Sequence, residues 1–363
     1  MKFRLFLLAF LCISAIPAGA CTSAIIAAKA TADGRPILWK HRDTSAENNF
    51  ICRVEKPGAI GYVGLFNGAD TLTLEEAWMG MNDAGFAIMN TVAYNLPANS
   101  PDWIDREGFV MARALATCRT VDDFEHLLKD LPRPMGVRTD FGVIDASGAG
   151  AYFETDDYNY RRFDLADAPD GVLIRTNYAY SGTPDQGKGY IRHANVEALL
   201  ADQIASRSIT PASLTEGLSR SFYNSVTGFD ASARDDAWTV DQDFIPRRSS
   251  TATVAIEGLL PGEDSSKMIM WANTAYPPCG HIVPVTLTEI PDEVGPTSGR
   301  GAYSPMGLVG SDRMAEVFPI SRGSGEKYIN LEALRPICDK EYQISLENYT
   351  KGAKKRRNLH QHH

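Results

Sequence analysis

Short apolar runs joined by turns rich in glycine, aspartate and asparagine recur along the chain and constrain its fold more than any other feature. The pair Asp33-Gly34 separates two such runs, and the segments 82–85 and 146–150 separate others. Turns of this kind between apolar runs favour antiparallel strands. Helical patterns lie at 107–118, 121–129 and 190–206, and strand patterns return at 251–256, 268–271 and 281–287. This order predicts an α+β fold of antiparallel sheets covered by helices.

The first twenty residues have the pattern of an export signal. Lys2 and Arg4 give a charged start, residues 5–16 are almost wholly apolar, and Ala18-Gly19-Ala20 is a small-x-small cleavage site. We therefore expect this segment to be removed and the mature protein to be periplasmic or secreted, as a single domain over 21–350. No other stretch reaches the roughly 18 apolar residues that a membrane helix needs, so we expect no integral membrane segment.

The charge of the chain disfavours nucleic acid as a partner. The 363 residues carry a formal charge of −9, and removing the signal takes away two basic residues and no acidic one, which leaves −11. A basic tail over 351–363 contains three histidines among its last four residues, and we expect it to be solvated and disordered. His41, His126 and His193 lack the spacing of metal ligands, so the sequence implies no metal and no cofactor.

Removal of the signal makes Cys21 the first residue, which places a thiol and a free α-amine on the same residue. A thiol is nucleophilic only as thiolate and therefore needs a base nearby. An α-amine, with a reference pKa of about 7.7 to 8.0, can be that base. The sequence thus predicts a nucleophile that carries its own general base.

Two other roles for Cys21 are open on position alone. A bacterial lipoprotein signal also ends just before a cysteine, and lipidation would give an anchored binding protein without catalysis. Such signals usually have leucine where this chain has Ala18. A structural disulfide is the other role, because exported cysteines often pair. The remaining mature cysteines form two disulfides or stay as buried thiols: Cys52, Cys118, Cys279 and Cys338.

The turn at Asp33-Gly34 sets an expected position for Asp43. If these two residues form the hairpin loop, Asp43 lies opposite Ala24, which is about 10 Å along the strand from Cys21. A bend would bring the carboxylate to the thiol. Without the bend, Asp43 is an exposed residue at the end of a strand.

Several segments share an order and spacing that resemble a known superfamily. They are Cys21-Thr22-Ser23, Asp33-Gly34 with Asp43, Gly80-Met81-Asn82 with Gly85 and Asn90, Asp145 and Gly148 with Glu154, and Thr176-Asn177. Together they resemble the amino-terminal-nucleophile (Ntn) cysteine hydrolases. These include the choloylglycine hydrolases, the penicillin V acylases, and the isopenicillin-N acyltransferase and carcinine hydrolase group. The segment 251–284 resembles the last group in particular.

The resemblance implies a four-layer αββα sandwich that cleaves linear, non-peptide amides as a hydrolase or an acyltransferase. Cys21 would be the nucleophile, and Asp43 would orient its α-amine. The side chain of Asn177 and the backbone N–H of Thr91, just after Asn90, would donate to the oxyanion. One such donor is worth about 2.7 to 4 kcal/mol. On residue type alone, the two asparagines are equally typical of turns.

The chain departs from the bile salt hydrolases at two arginine positions. Lys40 stands where they have arginine three residues before the orienting aspartate, and Arg42 is adjacent to that aspartate. Direct register places Gly189 at the second arginine position, so we assign that role to Arg192, with Lys188 as the rival. A surface position on a helix is equally open for Arg192.

Several substrate classes fit the sequence. Bile salts, acylated amino acids, phenoxyacyl amides and β-alanyl amines all stay open, although an acidic protein does not collect anionic substrates from a distance. The resemblance also makes a homo-oligomer reasonable. Aromatic residues that follow the motif strands are either pocket walls or core: Phe66, Tyr94 and Trp103.

Overall fold

The computed structural model describes residues 20–69, 72–97, 100, 104–241, 243–297, 302–320 and 327–358. Within them, the helices are α1 (Glu107–Thr117), α2 (Val121–Asp130), α3 (Tyr190–Ser206), α4 (Pro305–Val317) and α5 (Leu331–Asn358). The strands are β1 (Thr22–Ile26), β2 (Ile37–Asp43), β3 (Asn49–Val54), β4 (Tyr62–Asn67), β5 (Met79–Asn82), β6 (Ala87–Val92), β7 (Thr139–Ile144), β8 (Gly150–Thr155), β9 (Tyr160–Asp164), β10 (Val172–Arg175), β11 (Tyr223–Asn224), β12 (Phe229–Asp230), β13 (Trp238–Val240), β14 (Ser250–Glu257), β15 (Ile269–Asn273), β16 (Val283–Val285) and β17 (Tyr328–Asn330).

Two large antiparallel sheets form the centre of the molecule. One has six strands in the order β10-β1-β2-β14-β15-β16, and the other has seven strands in the order β3-β4-β5-β6-β7-β8-β9. The strand that follows Cys21, β1, therefore lies inside the six-stranded sheet, between β10 and β2. Two short ribbons pair β11 with β12 and β13 with β17.

The sheets pack face to face, and helices cover their outer faces. Apolar side chains from both sheets share one core between them, including Ile25 and Leu38 from one sheet and Met89 from the other. Helices α1 and α2 pack on the seven-stranded sheet through a second core that includes Phe124. Helix α3 packs on the six-stranded sheet through a third core that includes Val196. The protein is thus an α+β, four-layer αββα sandwich, as the resemblance implied.

The local sequence explains where the outer helices begin. Helix α2 follows a capping box in which Thr120 accepts from the backbone N–H of Asp123, and Asp123 in turn accepts from that of Thr120. This exchange satisfies backbone donors that the first helical turn leaves free. The predicted helices at 107–118, 121–129 and 190–206 are confirmed to within one residue at each end.

The predicted register between β1 and β2 is wrong. Thr22 pairs with His41 and Ala24 with Trp39, so Asp43 lies opposite Ala20 rather than Ala24. The reason is that β1 and β2 are joined by ten residues and not by a two-residue hairpin loop, because a 3₁₀ turn over Ala28–Ala30 intervenes. This longer connection moves Asp43 four positions along the strand, directly to the end where Cys21 lies.

The expectation of a disordered tail from residue 351 is also wrong as far as residue 358. Helix α5 continues through the basic residues to Asn358, so the expected domain boundary at 350 falls inside a helix. Arg356 forms ion pairs with Glu257 and Asp33, and Lys355 forms one with Glu289. Cations at a helix C-terminus are also favoured by the helix dipole. Residues 359–363 lie outside the described residues.

Two further expectations concern the cysteines and the membrane. The five described cysteines, Cys21, Cys52, Cys118, Cys279 and Cys338, are all free thiols, so the disulfide alternative is not realised in this structure. None of the helices over the described residues is long and apolar enough to cross a bilayer. The expected export signal covers residues 1–20. Residues 1–19 lie outside the described part of the chain, and Ala20 lies within it.

Candidate active site

Cys21 immediately precedes β1 and lies at one end of the space between the two sheets. Ser23 donates to or accepts from Thr91 at 2.6 Å and Tyr152 at 2.9 Å, both on the opposite sheet. Alternation along the strand places the Cys21 side chain on this same inner face. The residue is only 6% exposed while Ala20 is attached to it.

Asp43 is buried beside the peptide bond that signal removal is expected to cleave. Its carboxylate accepts hydrogen bonds from Arg247 and from the hydroxyl of Ser250. Arg247 also lies 3.5 Å from the carbonyl oxygen of Ala20. Asp43 is therefore held in place by residues more than 200 positions away in the sequence.

His41 completes the buried group around Asp43. Its Nε2 lies 2.8 Å from the Ser250 hydroxyl and 3.6 Å from the Asp43 carboxylate. Burial lowers the pKa of His41 to about 4, against the opposing effect of the Asp43 charge. The imidazole is consequently neutral at pH 7, and Arg247 is the cation that balances the charge of Asp43.

Arg192 connects the start of β1 to Asn177. One terminal nitrogen donates to the carbonyl oxygen of Cys21 at 2.7 Å and to the hydroxyl of Thr22 at 2.8 Å, and the other donates to Asn177 Oδ1 at 2.7 Å. Burial lowers the pKa of Arg192 to about 10, so it is still charged at pH 7. The rival residue, Lys188, places its ammonium 4.6 Å from the centre of the Tyr94 ring.

Gly189 gives the Arg192 side chain the room it needs. Its φ is +82°, and a Cβ added there would lie 2.4 Å from the guanidinium of Arg192. We expect Gly189→Ala to displace the guanidinium and to lower turnover as well as stability. The control is Gly262→Ala, because Gly262 has φ +83° with nothing within 4 Å of the added Cβ. Both variants cost about 1 kcal/mol or more in backbone strain, so equal turnover in the two would contradict the role assigned to Gly189.

The predicted oxyanion residues lie on the same network. Asn177 donates one side-chain N–H to the backbone carbonyl of Val92 at 2.8 Å, while Arg192 holds its oxygen. The amide plane is therefore fixed, and its second N–H has no partner among the described residues. Thr91 is joined to β1 through the hydroxyl of Ser23. Its backbone N–H points at Asp140 of β7 in the sheet ladder, so it is not free to donate to an oxyanion as the sequence predicted. Asn90 lies further inside, where its side chain accepts from Lys40 and donates to Glu107 at 2.6 Å.

The structure thus brings most of the predicted residues together and adds others. Cys21, Asp43, Asn177 and Arg192 are joined by direct contacts or by one intervening residue. Arg42 interacts electrostatically with Cys21. Residues at the site that the sequence did not single out are Arg247, Ser250 and Glu107. Glu107 is the first residue of a predicted helix, and that position is a signal that could have found it, whereas Arg247 and Ser250 carry no local signal.

The three aromatic residues that the sequence suggested as pocket walls lie in different places. Phe66 is fully buried and stacks on Phe50 with ring centres 5.5 Å apart, so it belongs to the core. Tyr94 is close enough to Cys21 to interact with it electrostatically. Trp103 lies outside the described residues. Within the described ranges, no three His, Cys, Asp or Glu side chains gather in a way that could hold a metal ion.

Comparisons with known proteins identify similar structures only. No family model and no curated protein matches the chain. A mutant of the conjugated bile acid hydrolase from Clostridium perfringens is 14% identical with a TM-score of 0.47, covering 74% of this chain and 93% of that chain. A Caenorhabditis elegans ortholog of N-acylethanolamine-hydrolyzing acid amidase is 14% identical with a TM-score of 0.43, covering 65% and 92%. Penicillin V acylase from Agrobacterium tumefaciens is 14% identical with a TM-score of 0.40, covering 74% and 87%.

Proposed function

We propose that the protein is an exported amidohydrolase that cleaves linear C–N amide bonds with Cys21 as its amino-terminal nucleophile. The observation that carries this proposal is the set of contacts around one residue. Cys21 adjoins the Asp43–Arg247 ion pair on its amino side and is held through its carbonyl by Arg192, which also fixes Asn177. A structural cysteine needs neither a buried cation on its carbonyl nor an ion pair at its amine.

The mechanism begins when the α-amine of Cys21 takes the proton of the thiol. The Asp43 carboxylate alone would favour the protonated amine, and the positive charge of Arg247 offsets that effect so that the amine can accept a proton. The sulfur then forms a bond to the amide carbon, and the resulting oxyanion is stabilised by the side-chain N–H of Asn177. Asp43 keeps the amine in position throughout.

The intermediate then collapses, and the enzyme is regenerated. The C–N bond breaks as the α-ammonium gives its proton to the leaving amine, which leaves an acyl thioester on Cys21. A water molecule attacks the thioester, the α-amine takes its proton, and the C–S bond breaks to release the carboxylic acid. An acyltransferase would use the same residues and would differ only in letting an external amine or thiol take the place of water.

The burial of Cys21 argues against the alternative of a lipid-anchored binding protein. A lipid anchor has to reach the bilayer from a residue at the protein surface. Here the Cys21 residue is 6% exposed, and all five residues of β1 that follow it are buried. A diacylglyceryl group on this sulfur would have to enter the space between the sheets.

Mass spectrometry of exported protein tests the proposal. We expect an intact mass that begins at Cys21 without lipid, and an acyl group on the Cys21 peptide after brief incubation with a panel of amides and quenching in acid. Transfer of that acyl group to an added amine would identify an acyltransferase. A lipid-modified terminus, or acyl labelling confined to other residues, would exclude the mechanism.

A further inference from the structure

Lys40 and Glu107 are both buried, and both bind the side chain of Asn90. The ammonium of Lys40 donates to Asn90 Oδ1 and, at 3.1 Å, to the backbone carbonyl of Trp78. The amide nitrogen of Asn90 donates to Glu107 Oε2 at 2.6 Å. A chain of three side chains therefore runs from the six-stranded sheet, through β6, to the first turn of α1.

The Lys40 end of this chain faces the nucleophile. Lys40 pairs with Ser23 across β1 and β2, which places it on the inner face together with the thiol of Cys21. Its charge interacts with Cys21, with Arg42 on its own strand, and with Glu107 from α1. Because a thiolate is favoured by a neighbouring cation, the charge of Lys40 bears directly on the reactivity of the sulfur.

The Glu107 end is fixed by groups from three segments. Glu107 accepts from the backbone N–H of Arg138 at 3.2 Å, in addition to Asn90, and it lies within electrostatic reach of Asp105. Its side chain is fully buried, so its distance from Lys40 is set by the fold. A carboxylate in this position supports an ammonium with which it makes no direct contact.

We propose that Glu107 is a positioning residue that acts through Asn90 to keep Lys40 in place and protonated beside the Cys21 thiolate. The proposal rests on the proposed function only in taking Cys21 as the nucleophile. Under this proposal, the stabilisation of the Cys21 thiolate by the charge of Lys40 depends on pH. An arginine at position 40 would keep its charge at every relevant pH, whereas a buried lysine can lose its proton.

The pKa values of the two ends define the working range. Burial lowers the pKa of Lys40 to about 8, against the opposing effects of Cys21 and Glu107. Burial, and then the charge of Asp105, raise the pKa of Glu107 to about 7. Between these values both ends are charged. Below the range Glu107 becomes neutral, and above it Lys40 loses the positive charge that faces the sulfur.

Alkylation of Cys21 by iodoacetamide tests the proposal without requiring a substrate. The processed protein is alkylated from about pH 6 to about pH 9, and the Cys21 peptide is quantified by mass spectrometry. We expect Glu107→Gln to slow alkylation by roughly threefold to tenfold near pH 9, where a fall of about half to one unit in the pKa of Lys40 removes most of its remaining positive charge, and by less than about twofold at pH 7. In a Lys40→Arg background the same change should leave the rate unchanged or raise it, because only the removed negative charge then acts on the sulfur. Glu55→Gln, on an exposed side chain, is the matched control.

The possible results distinguish a failure of the proposed role of Glu107 from a failure of the proposed function. Slowing by Glu107→Gln in both backgrounds, or in neither, would overturn the proposal. If Glu107→Gln does not fold, Asn90→Ala cuts the same link and is judged by the same comparison between the two backgrounds. If the protein cleaves amides but Glu107→Gln leaves the alkylation profile of Cys21 unchanged, the role assigned to Glu107 is rejected and the proposed function is not. If the alkylation rates follow the expected pattern but the protein cleaves no amide, the role assigned to Glu107 is supported and the proposed function is rejected.

Discussion

Replacement of Cys21 by serine is expected to abolish amide turnover while the fold and the removal of the signal are preserved. A serine hydroxyl at this position keeps the α-amine as a potential base, but the amine is too weak a base to generate an alkoxide as it generates a thiolate. The charges of three cations around the site interact with Cys21: Lys40, Arg42 and Arg192. Loss of a nucleophile that acts as a unit with its base costs roughly 10⁴-fold to 10⁶-fold in turnover.

The measurement is the turnover of the best amide from the panel, with the amino terminus checked by intact mass. Cys52→Ser is the control, since Cys52 is a half-buried free thiol on β3 that the mechanism does not use. We expect that control to keep full turnover. Activity in correctly processed Cys21→Ser within tenfold of the wild-type protein would rule out the acyl-thioester mechanism.

The parts of this fold that depend on local sequence were predictable. Helix α3 has the predicted bounds because its amphipathic pattern runs from Tyr190 to Ser206, after a glycine in the left-handed conformation. The prediction that Cys21 is the nucleophile likewise rests on its place next to the cleavage pattern. Neither inference needed contacts between distant parts of the chain.

The parts that depend on distant contacts were not predictable. The register between β1 and β2 depends on a ten-residue connection that bonds to residues far away, such as Gly171, which accepts from the backbone N–H of Ala27. The partner of Asp43 is Arg247, which β14 brings into the site from over 200 residues away. Pairings of this kind leave no local pattern, because only the assembled sheet brings their members together.

The net charge of the whole chain also failed to predict the charges that lie around Cys21. The acidic composition disfavoured a site that collects anions, and for long-range attraction that argument stands. Locally the balance is reversed. Lys40, Arg42 and Arg192 all lie near Cys21, and their hydrogen bonds in the described structure go to amide, carbonyl and hydroxyl oxygens rather than to carboxylates. Net charge is a property of composition, whereas the field at the sulfur is a property of the sheet register.

A second large effect is expected at Arg175, which forms a fully buried ion pair behind the site. Its Nε donates to Glu154 at 2.9 Å, and neither side chain is exposed to solvent. Its guanidinium lies 3.7 Å from the centre of the Tyr180 ring. Burial, and then the charge of Glu154, raise the pKa of the neighbouring Asp140 well above its usual range. Glu154 is therefore the counter-ion of Arg175.

Arg175→Met should lower the free energy of unfolding by about 3 to 5 kcal/mol, because it leaves the charge of Glu154 buried without its partner. Turnover should fall as well. Glu154 also accepts from the backbone N–H groups of Tyr180 and Ser181, just after Asn177, so the segment that carries the proposed oxyanion donor is bound to the same carboxylate. Urea denaturation measures the first effect, and the amide assay measures the second.

The control is Arg162→Met on β9, the strand that pairs with β8, which carries Glu154. Arg162 forms ion pairs with Asp122 and Glu125 at a partly exposed position, where such pairs are worth about 1 kcal/mol or less. Adding Glu154→Gln to Arg175→Met should recover part of the lost stability, since it removes the unpaired charge and retains an oxygen that can accept from the backbone. If Arg175→Met costs no more than Arg162→Met, the buried pair does not hold the segment of Asn177 in place, and the position of Asn177 depends on Arg192 and Val92 instead.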